Sequence, residues 1–219
     1  MNKYIKFLGV CLVTYSIIMS LLSNMPNIPI LKLTIRNIYF HVPMWFAAGT
    51  MITLSFVYSL KYIICKKKDD IADYKALSSV QVGLLFIIIG ILTGSIWAHY
   101  TWGYFWSKDP IQNGAIITMI IYMSYIILRQ SINDMNHKSK LSAIYNIFSY
   151  PIMIILVLII PRTVDSLHPG SGNNPGFNLY EINNNIKIIL YPSILGWVIL
   201  SIWIMDINTK IIKYGIQNK

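Results

Sequence analysis

Six separate stretches of the chain are apolar over the length of a membrane-spanning helix. A helix needs about 20 mostly apolar residues to cross the hydrocarbon core of a bilayer. The stretches are Tyr4–Leu22, Val42–Ile64, Ala76–Trp97, Gly114–Leu128, Ala143–Ile160 and Ile186–Met205. The fourth is short, and its helix is expected to begin inside the preceding connection. The pattern predicts an all-α membrane helix bundle of six transmembrane helices, with residues 1–219 forming a single membrane domain.

The composition excludes several other classes of protein. Only 12% of the 219 residues are charged and 55% are hydrophobic, whereas a soluble domain carries about 25% charged residues. This apolar content also excludes a disordered chain. The formal net charge of +10 does not indicate a nucleic-acid partner, because the Lys and Arg residues lie between the apolar stretches. The two cysteines, Cys11 and Cys65, lie in or beside apolar stretches and do not indicate a disulfide-built domain.

The distribution of Lys and Arg predicts the orientation in the membrane, because cytoplasmic connections retain these residues. With a cytoplasmic N-terminus, most of the 18 Lys and Arg residues face the cytoplasm. We therefore expect both termini inside and Lys-rich anchoring to anionic lipid. The cytoplasmic connections 66–75 and 129–140 are predicted to be solvated turns, and His137 in the second is expected to be exposed. The first stretch is interpreted as a retained helix, because no A-x-A cleavage site follows it.

The outer segment 97–113 begins with six aromatic residues within ten positions. Residues 97–109 read Trp-Ala-His-Tyr-Thr-Trp-Gly-Tyr-Phe-Trp-Ser-Lys-Asp. Such a segment is typical either of an interfacial belt of Trp and Tyr or of a flat apolar platform for a planar ligand. Trp102 and Trp106 would share one face if this part were helical. Asp109 precedes a proline and would cap the fourth helix.

Three of the four histidines are predicted on the outer face of the membrane: His41, His99 and His168. Histidine is a common metal ligand and a common ligand of haem iron. Two histidines on separate elements would hold a haem edge-on against the aromatic platform, although a lone interfacial histidine is usually only a hydrogen-bonding residue. Arg162 opens the outer loop 161–185, which is rich in Gly and Pro, and would pair with a carboxylate such as a haem propionate.

The sequence lacks the short motifs of several other chemistries. It contains no H-E-x-x-H, C-x-x-C, C-x-x-C-H, G-x-S-x-G or Walker A pattern, which argues against a zinc enzyme, a c-type cytochrome, a serine hydrolase and an ATPase. Its single glutamate, Glu181, lies outside the apolar stretches, which argues against a proton-coupled pump. We therefore do not expect the chain to be an enzyme.

These segments resemble a known family. Residues 102–110 are similar to the tryptophan-rich WWD signature of the haem-handling membrane proteins of cytochrome c biogenesis. The run His41-Val42-Pro43 resembles the His-Val-Pro segment of the CcmC type, and Ser166-Leu167-His168 is similar to the segment of its second outer histidine. The resemblance covers nearly the whole chain, and six helices with both ends inside agree with it.

The resemblance implies that the chain holds haem at the periplasmic face of the bacterial inner membrane and delivers it to a CcmE-type haem chaperone. The haem would be b-type, bound non-covalently and in transit, with His41 and His168 as axial ligands of its iron. Further implied partners are CcmA- and CcmB-type ABC transporter subunits, a small CcmD-type membrane subunit and the lipid bilayer. The residues expected to contact haem are His41, Trp45, Trp97, Trp102, Trp106, Asp109, Arg162 and His168.

Two departures from the family leave other functions open. Lys108 stands where the family often has a third tryptophan, and His99 has no place in a scheme with two ligands. The run Pro110-Ile111-Gln112 is similar to a segment of the CcsA branch, which contains cytochrome c synthases, but the short chain favours the CcmC branch. The alternatives are a CcsA-type subunit, a membrane transporter for haem or another small molecule, and an assembly subunit with an incidental aromatic belt.

Overall fold

The computed structural model describes residues 1–24, 32–65, 69–168 and 184–217. Six helical segments are long and apolar enough to cross a membrane, which confirms the predicted number. The helices are α1 (Lys3–Leu22), α2 (Ile38–Ile64), α3 (Asp70–Trp102), α4 (Pro110–Ser131), α5 (Met135–Ile154), α6 (Ile160–Thr163) and α7 (Asn184–Gln217). A 3-10 helix, Lys32–Asn37, precedes α2, and a π-helical turn, Ile155–Ile159, joins α5 to α6. Within these ranges the chain forms no strand.

Aspartates begin three of the helices. The side chains of Asp69, Asp109 and Asp134 each accept a hydrogen bond from a backbone N–H in the first turn of α3, α4 and α5. This bond satisfies one of the donors that a helix N-terminus leaves free. The predicted capping by Asp109 is confirmed, and α4 begins four residues before the apolar stretch that predicted it.

The core of the bundle lies between α2 and α3. Helix α2 packs against α3, α5 and α7, whereas α1 lies at the periphery and packs mainly against α7. The buried apolar side chains of the core include Met44, Ala47, Ala48, Met51 and Ile52 from α2 and Val80, Val82, Leu84, Phe86 and Ile87 from α3. Small residues bring α1 close to α7: a Cβ atom on Gly9 would lie 2.6 Å from Cγ2 of Ile199. Such contacts drive helix association in lipid, where burial from water contributes little.

A buried ion pair joins α3, α4 and α5 at the end of the bundle opposite residues 97–109. Arg129 donates two hydrogen bonds to the carboxylate of Asp73, at 2.8 and 2.6 Å, and Ser139 donates a third at 2.9 Å. The connections predicted as solvated turns are therefore partly wrong, because Asp73 and Arg129 lie inside helices and are buried. Residues 66–68 of the first connection lie outside the described residues. His137 is exposed as predicted.

The last turns of the fifth span depart from α-helical geometry. Pro151 lies inside α5, and the π-helical turn Ile155–Ile159 follows directly. In a π-helical turn the backbone hydrogen bonds join residues five apart instead of four, and such turns are frequent at functional sites. Gly114 of α4 approaches this turn so closely that a Cβ atom there would lie 2.7 Å from the carbonyl oxygen of Leu156.

Removing one partner of the buried ion pair should destabilise the fold strongly. Arg129→Met leaves the Asp73 carboxylate buried without its cation, which costs about 3–5 kcal/mol. The matched control is Lys61→Met, which removes the exposed Lys61–Asp69 pair and should leave the melting temperature unchanged. Thermal unfolding in detergent measures both variants. Equal melting temperatures for the two variants would show that the buried pair contributes nothing.

Candidate functional site

One cavity of about 200 Å³ lies at the end of the bundle that carries residues 97–109, called here the aromatic end. His41 reaches it from α2, and His168 reaches it from the segment that follows α6. Its lining is otherwise mainly apolar and consists of Trp45, Gly90, Ile91, Gly94, Ser95, Trp106, Ile111, Gln112, Ala115 and Val157. The structure thus brings together two histidines that are 127 residues apart in the chain.

The glycines of α3 make room for the side chains of α2 in this cavity. A Cβ atom on Gly94 would lie 2.6 Å from Cε1 of His41, and one on Gly90 would lie 3.0 Å from Cε2 of Trp45. The His41 ring also meets Trp45 and Trp97 edge to face, with centroids 6.3 and 5.9 Å apart. The position of His41 therefore depends on the absence of side chains on the facing surface of α3.

Thr93 fixes the proton on the His41 ring. Nδ1 of His41 lies 3.1 Å from Oγ1 of Thr93. The single hydroxyl hydrogen of Thr93 is directed to the carbonyl oxygen of Ile89, at 2.8 Å, so Oγ1 accepts a hydrogen bond from His41. Nδ1 then carries the proton, and Nε2 of the neutral ring keeps its lone pair.

Asp109 fastens the segment that carries His168 to the first turn of α4. Its carboxylate accepts hydrogen bonds from the backbone N–H of Ile111 at 2.9 Å, Oγ of Ser166 at 2.8 Å and the backbone N–H of Leu167 at 2.7 Å. Nδ1 of His168 lies 3.0 Å from Oδ1 of the same group. The side chain of Asp109 is only 1% exposed, compared with 24% for His168.

The four donors around Asp109 keep it ionised. Burial alone would raise the pKa of Asp109, but the hydrogen bonds from His168, Ser166 and Leu167 outweigh burial and hold the pKa well below its usual range. An ionised carboxylate can only accept, so Nδ1 of His168 must be the donor. In the neutral form of the His168 ring, Nε2 then keeps its lone pair, as in the neutral ring of His41.

The tryptophans divide into two groups. Trp45 and Trp106 line the cavity, whereas Trp97 packs against His41 and Trp102 packs against His168 with ring centroids 5.3 Å apart. The possible shared helix face of Trp102 and Trp106 does not form, because α3 ends at Trp102 and Gly103 takes a left-handed conformation with φ of 84°. Three of the six aromatics, Trp97, Trp102 and Trp106, therefore lie beside His41, His168 and their cavity, whereas Tyr100 and Phe105 contact His99 and Tyr104 is exposed.

The expected contact residue Arg162 lies away from the cavity lining, as do His99 and Lys108, to which the sequence assigned no role. His99 stacks on Phe105, with ring centroids 4.1 Å apart and an interplanar angle of 2°. Arg162 donates a hydrogen bond to the carbonyl oxygen of Leu158. Lys108 is exposed and has a φ of 60°, which is uncommon for a residue other than glycine. Of the predicted outer loop 161–185, residues 169–183 lie outside the part of the chain that the structure describes.

Sequence reasoning missed two residues that position the site. Thr93 gave no signal, since a threonine near a helix end commonly bonds to its own helix. Gln112 is buried in the cavity wall, and its Oε1 accepts hydrogen bonds at 2.9 Å from both the backbone N–H and Oγ of Ser107. Its place in the first turn after the Asp109–Pro110 helix start was the available clue.

The arrangement suits binding of a flat ligand with a central metal. Within the described ranges, no group of three or more His, Cys, Asp or Glu side chains could hold a metal ion. A pair of imidazoles with free Nε2 atoms instead suits a metal whose remaining ligands come from a macrocycle. These features define a polytopic α-helical membrane protein with a two-histidine, tryptophan-lined cavity at one end of its bundle.

Comparison with known proteins gives the family. The family model described as "CcmC: Heme exporter protein C" matches residues 1–218, and the chain belongs to this family. The chain is 22% identical to the "Heme exporter protein C" of Paracoccus denitrificans over 179 residues, which are 81% of this chain and 72% of that protein. The resemblance to the CcmC type is thereby confirmed.

Shorter matches link the chain to another group of proteins. It is 34% identical over 93 residues to the "Cytochrome c biogenesis protein CcsA" of Pelargonium hortorum, covering 42% of this chain and 29% of that protein. The match to the protein of the same name from Atropa belladonna is 39% identical over 61 residues, which are 28% of this chain and 20% of that protein. The chain thus spans less than a third of the CcsA proteins that it matches.

The attachment of the His168 segment should weaken in acid. Because the folded pKa of Asp109 lies below its unfolded value of about 3.9, its contribution to stability is complete above that value and is lost as the pH falls towards the folded pKa. The melting temperature of the wild type should exceed that of Asp109→Asn by a constant amount above about pH 5, and the difference should shrink below about pH 4. Thermal unfolding in an acid-stable detergent measures this difference. A constant difference down to pH 2 would contradict the ionised state of Asp109.

Proposed function

We propose that this protein handles haem in the biogenesis of c-type cytochromes and holds it at the aromatic end between His41 and His168. The observation that carries the proposal is the presence of both imidazoles on one cavity, each with a hydrogen-bond partner at Nδ1. Such a bond leaves Nε2 of a neutral ring able to bind a metal. Imidazole nitrogen is a common axial ligand of haem iron. Membership of the heme exporter protein C family supports the same function.

The cavity lining fits the chemistry of haem. Its aromatic and aliphatic side chains, such as Trp45 and Val157, suit the apolar macrocycle. The volume of about 200 Å³ is smaller than the roughly 300–1,000 Å³ of pockets that enclose a ligand. A haem would therefore extend beyond the cavity past Trp106, which is 37% exposed. A partly exposed haem suits transfer to another protein.

Handover completes the proposed function. Two histidine ligands fill both axial positions and suppress oxygen chemistry while the haem, b-type and non-covalently bound, is in transit. The acceptor in this proposal is a CcmE-type haem chaperone, and CcmA- and CcmB-type ABC transporter subunits and a small CcmD-type subunit complete the complex. The chain itself forms no covalent bond to haem and is not an enzyme in this scheme.

We place the aromatic end at the periplasmic face of the bacterial inner membrane, with both termini in the cytoplasm. The excess of Lys on the side of the termini supports this orientation. The amino group of Met1 lies 3.2 Å from the carboxylate of Asp206 in the C-terminal half of α7, so the N-terminus and the last turns of α7 lie on the same side of the bundle. That side is opposite the cavity.

A cytochrome c synthase-like role is the second candidate. The local identities of 34% and 39% to proteins named CcsA favour it. The two functions differ in the acceptor of haem, which is a chaperone in the first and an apocytochrome in the second. Covalent transfer of bound haem to an apocytochrome peptide with a C-x-x-C-H motif would favour the synthase-like role.

The visible absorption spectrum of the purified protein tests haem binding. We expect a Soret band, and sharp bands of low-spin haem after reduction, because two imidazoles ligate the iron. His41→Ala and His168→Ala should each remove the low-spin signature and lower the amount of co-purified haem. The control is His137→Ala, which changes an exposed histidine at the opposite end and should leave the spectrum unchanged. A colourless wild type that fails to bind added hemin would overturn the proposed function.

Filling the space beside His41 should impair haem binding although both proposed ligands are retained. Gly94→Ala places a methyl group 2.6 Å from the starting position of the His41 ring, so the imidazole must move. Displacing a ligand from its support should lower hemin affinity by about tenfold, as measured by titration of the purified variant with hemin. The matched control is Gly49→Ala, because no atom lies within 4 Å of a Cβ atom at Gly49. Equal affinities for both variants would show that the His41 position is not critical.

A further inference from the structure

We propose that His41 and His168 are unequal ligands and that haem leaves by losing its bond to His41 first. This inference rests on the proposed function and adds an order of events to it. It depends on the groups behind the two rings, which differ in charge, in bonding and in attachment to the bundle. Thr93 lies behind His41, and Asp109 lies behind His168.

The first difference is the charge of the acceptor. The His41 ring is hydrogen-bonded to neutral groups, with Nδ1 3.1 Å from the Thr93 hydroxyl and a further bond to the backbone of Gly90, whereas Nδ1 of His168 donates to a carboxylate at 3.0 Å. A hydrogen bond to an ionised group is roughly twice as strong as one between neutral groups. A carboxylate behind a ligating histidine also raises the basicity of the ring. Nε2 of His168 is therefore the stronger electron donor to iron.

The second difference is how firmly each acceptor is held. The Asp109 carboxylate also accepts hydrogen bonds from Ile111, Ser166 and Leu167, so it stays directed at His168. The Thr93 hydroxyl can donate to the carbonyl oxygen of Ile89 at 2.8 Å or of Gly90 at 3.1 Å. With either acceptor Oγ1 still accepts from His41, but the single hydroxyl hydrogen of Thr93 makes one bond at a time, whereas three further donors hold the Asp109 carboxylate.

The third difference is mechanical. His41 belongs to the long helix α2, and its ring lies between the edges of Trp45 and Trp97 and against Gly94. The packing of α2 against α3, α5 and α7 holds the backbone of His41 in place. His168 lies on a segment outside the helices and is partly exposed. Outward movement therefore stretches the bond to His41 before the bond to His168.

Release of haem from His41 involves one bond. The iron–nitrogen bond to His41 breaks, and the electron pair returns to Nε2 of the ring. No proton is released, because Nδ1 keeps its hydrogen throughout. His168 retains its bond, and the position vacated by His41 becomes available to a ligand from the acceptor protein.

Hemin release from the two single-ligand variants tests the order. Each variant is loaded with hemin and mixed with excess apomyoglobin, which traps released hemin. We expect His41→Ala to retain hemin through His168 as a five-coordinate, high-spin species, and added imidazole to restore its low-spin spectrum. His168→Ala should release hemin about tenfold faster than His41→Ala. Equal release rates, or slower release from His168→Ala, would overturn the inference.

The reduction potential separates an electronic effect of Asp109 from simple attachment of the loop. Asp109→Asn removes the negative charge behind His168 and should raise the midpoint potential, because a weaker donor stabilises ferric iron less. Asp109→Glu should restore part of the shift. Ser166→Ala removes one bond to the same carboxylate and the bond from the His168 N–H, but keeps the charge of Asp109. It should therefore shift the potential less than Asp109→Asn, and so should Thr93→Val. Equal shifts for Asp109→Asn and Ser166→Ala would overturn the assigned role of Asp109.

These outcomes distinguish the two proposals. A wild-type protein that binds no hemin overturns the proposed function itself. A wild-type protein with a low-spin haem spectrum, combined with equal behaviour of the two histidine variants, overturns only the inequality of the ligands. Melting temperature and size-exclusion profile identify variants that fail to fold, and the His41→Ala and Thr93→Val comparisons do not disturb the Asp109 bonds.

Discussion

The hydrogen bonds to one buried carboxylate determine the geometry of the aromatic end. Asp109 begins α4, and it binds Ser166, Leu167 and His168, which lie 57 to 59 residues later in the chain. A buried carboxylate is costly unless such donors surround it. The same bonds that satisfy Asp109 therefore place His168 on the cavity that His41 reaches from α2. Helix capping, loop attachment and the orientation of His168 depend on a single side chain.

The opposite end of the bundle contains a second buried carboxylate, and its charge is compensated in a different way. Asp73 is neutralised by Arg129 through two hydrogen bonds, and Ser139 adds a third. That arrangement joins three helices and leaves no net charge. Asp109 instead receives N–H and O–H donors and keeps a negative charge that acts on His168. The carboxylate at one end thus joins helices, and the carboxylate at the other end acts on a cavity histidine.

The sequence was sufficient to predict the features that depend on the length of apolar stretches or on local rules such as helix capping. The six spans follow from apolar length, and the cap at Asp109 follows from its position before Pro110. The contact between Thr93 and His41 could not be predicted, because it depends on how α3 packs against α2. The burial of Arg129 was also hidden, since a cation near a span end usually faces water. The positions of Trp102 and Trp106 depended on where α3 stops, and helix ends are the least certain part of such predictions.

The π-helical turn Ile155–Ile159 has a consequence for how the chain tolerates change in length. Such a turn contains one residue more than the α-helical turn that would replace it. Deleting a single residue there would rotate everything beyond it by about 100° around the helix axis relative to the present arrangement. Val157 lines the cavity within this turn, and His168 follows eleven residues later. The extra residue sets the rotation of the following residues around the helix axis. Insertions and deletions in 155–159 should therefore be much less tolerated than substitutions.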